Sequence, residues 1–136
     1  MPEYGSVVER RAFPRYSLHL TGVAEALFRR QPTALEGEEL PDEMGKYPID
    51  IVNMSKGGVQ LTFNVAFDAH DVLRMNIIHP ETDQPIRLEG ELMWVRKNAT
   101  DLMGKFYAGL AFRDTTQEGV DSLVTYASRQ GPPLTT

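Results

Sequence analysis

Apolar and polar residues alternate in six short runs, each bounded by turn formers, and that period of two leaves few folds open. Leu18, Leu20, Gly22, Ala24 and Ala26 fall on one face of a strand beginning at Ser17. Residues 47–52 read as the returning strand. Val59, Leu61, Phe63 and Val65 alternate again, and residues 72–78 form a further strand. Ile86, Leu88, Gly90, Leu92 and Trp94 make the longest alternation, and Phe106, Ala108, Leu110 and Phe112 the last. Residues 53–58, 68–71 and the Pro-bounded 79–85 read as turns, and 97–104 as a loop. Residues 31–45 form an acidic loop, long for a hairpin. Successive short strands joined by local turns predict an antiparallel barrel, since parallel strands need a crossover each.

After Phe112 the period changes. Val120, Leu123, Val124 and Ala127 follow i, i+3, i+4, i+7, the stripe of an amphipathic helix. Thr115 and Glu118 offer a capping box at its start, and Gly131-Pro132-Pro133 stops it. The expected fold is mainly β: a six-stranded antiparallel β-barrel with a C-terminal α-helix. An arm over 1–16 would precede a single domain over 17–130, with a frayed tail over 131–136.

A chain of 136 residues suits one domain that buries a real core without staples. The absence of cysteine excludes disulfides, thiolate metal sites and a cysteine nucleophile, and fits a reducing cytoplasm. No apolar signal core follows Met1, and no window approaches the roughly 20 apolar residues of a membrane helix, so a soluble cytoplasmic protein is expected. The net charge of −5 argues against a general nucleic-acid binder, which would be basic over its whole domain. Positive charge is local instead, in Arg10, Arg11 and Arg15, while Glu36, Glu38, Glu39, Asp42 and Glu43 concentrate the acids elsewhere. That division suits one anionic ligand held at one place.

Two segments carry the chemistry. In the first, Arg11-x-x-x-Arg15, Pro14 fixes its own φ and pushes Phe13 toward an extended conformation. On an extended chain the two arginines stand about 12 Å apart, enough to grip opposite ends of a dinucleotide-sized ligand. The second is Asn53-x-Ser55-x-x-Gly58. In this order, with a strand between them and another directly after Gly58, they resemble the paired signature of the PilZ domain family, RxxxR followed by (D/N)xSxxG.

The resemblance implies a six-stranded antiparallel barrel with a C-terminal helix, acting as a bacterial receptor for the second messenger cyclic di-GMP. It implies that Arg11 and Arg15 grip the ligand. An arginine donates bidentately to phosphate or to guanine O6 and N7, and its flat guanidinium stacks on a base. Asn53 would accept from guanine N1–H and N2–H₂, and Ser55 would donate or accept beside it. Gly58 would supply room or a positive φ after the turn. A basic residue at Arg10 accompanies, in the family, capture of two stacked ligand molecules. Asparagine stands at 53 where many members have aspartate, and the acidic loop 31–45 departs from a compact member of the family.

Other polar residues have plainer readings. His19, His70 and His79 show no metal-ligand spacing, Asp50 and Asp101 have no evident carboxylate partner, and Gly57-Gly58 is no phosphate-binding P-loop. Met75, Leu92 and Phe112 are core candidates, and Trp94 reads as core or half-buried, with a ligand-facing place as an alternative that nothing in the spacing favours. The helix stripe packs on the barrel or forms a dimer contact, so monomer and homodimer stay open. No catalytic residue, metal or cofactor beyond the ligand is expected, because no nucleophile, base or metal constellation appears. The expected function is a binding module whose arm changes conformation on the ligand and signals to a protein partner, with neither nucleic acid nor membrane as partner. Two rivals are a PilZ-like adaptor that binds no nucleotide and a barrel that binds single strands. The adaptor would lack the signature arginines, and the single-strand binder would need a basic groove with stacking aromatics.

Overall fold

The computed structural model describes residues 13–28, 45–97, 105–113 and 117–134. The elements are β1 (Tyr16–Phe28), β2 (Tyr47–Met54), β3 (Gly58–Phe63), β4 (Val72–Ile78), β5 (Pro85–Lys97), β6 (Phe106–Phe112) and α1 (Gln117–Gln130). The strands are antiparallel and close into a barrel in the order β1-β2-β3-β6-β5-β4. The seams β1–β2, β2–β3, β4–β5 and β5–β6 join consecutive strands, as local turns predict. The seams β3–β6 and β1–β4 do not, and alternation gives no sign of them. Closure gives every strand a neighbour on both sides. Of the expected features, residues 1–12, the acidic loop 31–45 apart from Gly45, 98–104 and Thr115 lie outside the described residues.

The predicted inward faces supply most of the core, with Ile86 and Phe112 partly buried at its margin. Leu18, Leu20, Ala24, Ile49, Ile51, Leu61, Phe63, Leu88, Leu92, Ala108 and Leu110 are buried in one cluster. Each fully buried large aliphatic or aromatic side chain contributes roughly 1.5–3 kcal/mol. The connection between β3 and β4 closes one end of the barrel. Its Phe67 is buried edge-on against Phe63, ring centroids 5.1 Å apart, and against Tyr47 at 6.0 Å. The connection is fastened to β5, where His70 N–H donates to the Leu92 carbonyl at 2.6 Å and Leu92 N–H to the Asp71 carbonyl at 2.9 Å.

Helix α1 packs at the other end, where β1 starts and β4 finishes. Its stripe Val120, Leu123, Val124 and Ala127 is buried within the chain and joins the barrel core. Tyr126 meets the buried His79 edge-on at 5.6 Å, and Arg129 pairs with Glu81. Past the helix, Leu134 N–H donates to the Arg15 carbonyl at 2.6 Å, which sets this stretch of the chain beside the arm. Among the described residues no helix is long and apolar enough to cross a membrane.

Candidate functional site

Two irregular rungs build the site. Strict alternation along β2 would turn Ile49, Ile51 and then Asn53 inward. The register instead steps from Ile51↔Leu61 to Asn53↔Gln60, so β2 carries one extra residue, Val52. Such a bulge re-aims the side chains that follow it. Val52 is exposed, Asn53 is half-buried on the outer face, and Met54 returns to the core fully buried. Strand β2 thus runs past the expected turn start at residue 53, because β1 and β3 both pair with Asn53 and Met54. The turn proper is 55–57.

Strand β5 repeats the device. Leu92 faces Leu110, but Trp94 faces Gly109, so Met93 is the extra residue. Gly109 lies between the buried Ala108 and Leu110 and therefore faces outward, and Trp94 with it. The core alternation that includes Trp94 in the sequence ends at Leu92. A single rung then runs Ser17, Asn53, Gln60, Gly109, Trp94 across neighbouring strands. Three strand spacings put Trp94 roughly 14 Å from Asn53 around the barrel wall.

The polar end of this strip joins the two sequence motifs. Arg15 Nη1 donates to Asn53 Oδ1 at 2.5 Å, and Asn53 Nδ2 donates to Gln60 Oε1 at 2.6 Å. Arg15, Asn53, Ser55 and Gly58 are thereby brought to one corner of the barrel, while Arg10 and Arg11 lie outside the described residues. Ser55 is buried, and its Oγ accepts from Gly57 N–H at 3.1 Å. Its own N–H donates to the Gly58 carbonyl at 2.9 Å, so Ser55 shapes the turn that ends the Asn53 strand. Gly58 opens β3 with strand backbone rather than a positive φ. Its need is room: a Cβ there would sit 2.2 Å from the Leu110 carbonyl oxygen of β6.

The other end is a flat aromatic surface. A Cβ on Gly109 would lie 2.3 Å from Trp94 Nε1, so the glycine is what lets the indole lie across β6. The Arg96 guanidinium carbon stands 5.4 Å from the indole centroid, a cation–π contact on the same face. The strip therefore offers a guanidinium, an amide pair and a π surface in a row: groups that hold an anion bearing planar, hydrogen-bonding rings. Gln60 was missed in the sequence, and Trp94 reads there as core or half-buried, with nothing in the spacing to place it on the ligand face. Gln60 is signalled there only as the polar residue of an outward position, and Trp94 is hidden by the bulge before it. Among the described residues no three His, Asp or Glu side chains gather as they would to hold a metal. His19 faces Asp50 at 3.8 Å and His70 faces Glu91 at 2.8 Å, both as surface pairs.

The PilZ domain family matches residues 9–129. The chain is similar in structure to the PilZ domain of YcgR from Escherichia coli, solved with c-di-GMP, at 10% identity and a TM-score of 0.60 over 89% of this chain and 93% of that one. It is similar to the Bacillus subtilis inhibitor of motility MotI/DgrA, at 17% identity and a TM-score of 0.60 over 89% of this chain and 51% of that one. The K. pneumonia MrkH–c-di-GMP complex matches at 16% identity and a TM-score of 0.51 over 90% of this chain and 56% of that one. The chain thus spans about half the length of these last two proteins. At such identities the likeness is one of fold. No curated protein matches the chain in sequence.

Proposed function

The chain belongs to the PilZ domain family, and on that premise we propose that it is a cytoplasmic receptor for cyclic di-GMP rather than an enzyme. The observation that carries this reading is the contact of Arg15 with Asn53, which joins the arginine motif to the barrel motif. The PilZ structures of YcgR and MrkH hold this ligand, which supports the choice of messenger.

In the proposed complex Arg11 and Arg15 take the phosphates and stack on the bases, with Arg10 serving a second ligand molecule. Asn53 Oδ1, released by Arg15, accepts from guanine N1–H and N2–H₂. Ser55 and Gly58 hold the turn that presents Asn53, and Trp94 gives a base a face to lie on. A phosphate is a stronger partner for Arg15 than an amide oxygen is. The ligand therefore draws the arm from one position to another, and the difference in binding energy between the two drives the change. The rearranged surface engages or releases a protein partner.

Calorimetric titration with cyclic di-GMP tests the reading, with the Arg11→Ala/Arg15→Ala double variant as control. Binding at micromolar concentration or below, lost in the variant, is the expected result. Ligand at one hundred times its dissociation constant should also raise stability by about 2.7 kcal/mol. Two ligands per chain would support the role of Arg10. No heat and no shift in melting temperature would overturn the reading in favour of an adaptor that binds no nucleotide.

A further inference from the structure

The amide of Asn53 is not symmetric. One end accepts, the other donates, and a half-turn about its last bond exchanges them. What it presents to a ligand therefore depends on its neighbours. Gln60 stands directly across the β2–β3 seam, and its Oε1 accepts from Asn53 Nδ2 at 2.6 Å. That bond directs Asn53 Oδ1 away from β3 and toward the arm, where it meets Arg15 Nη1 at 2.5 Å. With the amide reversed, Nδ2 and the guanidinium would face each other as two donors.

We infer that Gln60 is a specificity-determining positioning residue, which fixes the polarity of the Asn53 amide so that the site presents an acceptor to the ligand. This rests on the cyclic di-GMP reading and deepens it. At ring positions 1 and 2 guanine carries the donors N1–H and N2–H₂, whereas adenine carries the acceptor N1 and no donor; adenine's N6–H₂ stands where guanine has the acceptor O6. An acceptor at residue 53 therefore selects guanine, and a donor there selects against it. Gln60 is itself an amide with two ends, and Arg15, which can only donate, settles the direction of the pair before the ligand arrives. Once Arg15 turns to the phosphates, reversal would require both amides to turn and the bond between them to break, so Oδ1 stays outward for the base. An aspartate at residue 53 would accept at either oxygen and need no such partner.

The test compares Gln60→Glu, which can only accept, with Gln60→Lys, which can only donate. Both are made in the wild-type and in the Asn53→Asp background, and cyclic di-GMP affinity is measured by calorimetry. With Asn53 in place, Gln60→Glu should bind within about threefold of wild type, and Gln60→Lys about tenfold more weakly, the scale of one misdirected hydrogen bond. The loss would come despite an added positive charge that by itself attracts the phosphates. With aspartate at 53 the order should invert, because Gln60→Glu then sets two carboxylates together and Gln60→Lys pairs one. A structural role alone predicts the same order in both backgrounds, and that result would overturn the inference, as would equal affinities with Asn53 in place. Wild type that binds no cyclic di-GMP would overturn the receptor reading and this inference together, whereas binding wild type with coinciding variants overturns this inference alone.

Discussion

At the residue scale, the site depends as much on missing side chains as on present ones. Trp94 is the only tryptophan of the chain, so its fluorescence reports directly on the strip. Gly109→Ala places a methyl 2.3 Å from the indole nitrogen. Expelling the indole should shift its emission to the red, cost about 1–3 kcal/mol by overpacking and weaken ligand binding, as fluorescence and thermal melts would check. An unchanged emission maximum would mean that the indole does not lie on β6. Gly58→Ala should cost more, because its methyl meets the backbone carbonyl of Leu110, which cannot swing aside as a side chain can. Ser55→Ala removes the acceptor for Gly57 N–H and should cost about 1 kcal/mol, the net worth of one hydrogen bond. A loss of ligand affinity much larger than the loss of stability would give Ser55 a direct role in binding as well.

At the element scale, two of the three bulged strands and the helix divide the work. Strands β2 and β5 each carry one extra residue, Val52 and Met93, and each then turns outward a side chain, Asn53 or Trp94, that the core pattern would bury. Met54 and Leu92 keep the core intact on either side. Helix α1 contributes Leu123, fully buried, to the same core as the strands. Leu123→Ala should therefore destabilise the whole domain by about 2–5 kcal/mol in urea denaturation, the range of a buried leucine replaced by alanine. A cost under about 1 kcal/mol would show the helix to be an ornament on an independently stable barrel.

At the scale of the whole molecule, the barrel is closed and its core is one cluster that includes the helix. Such a chain should unfold in one step. Transitions followed by Trp94 fluorescence and by far-ultraviolet circular dichroism are expected to superimpose. Separate midpoints would mean that the β5–β6 face opens before the rest. Arg15 touches Asn53 with its side chain and Leu134 with its carbonyl, so one residue ties the barrel wall to the segment after α1.

The sequence by itself determined the strands, the helix and the motif residues. Alternation and the i, i+3, i+4, i+7 stripe are local properties, written by which residues must leave water. The six strands and α1 follow those patterns closely, with Val72–Ile78 a direct match. Arg15, Asn53, Ser55 and Gly58 were legible as a motif, though not the division of labour that turns Ser55 inward and Asn53 outward. Tertiary structure alone decided the seams β3–β6 and β1–β4, because pairing between strands far apart in the chain leaves no mark on either one. It also decided the bulges, since one extra residue is extra only relative to the strand opposite. Gln60 and Trp94 therefore entered the site only when β2, β3, β6 and β5 stood side by side on one rung.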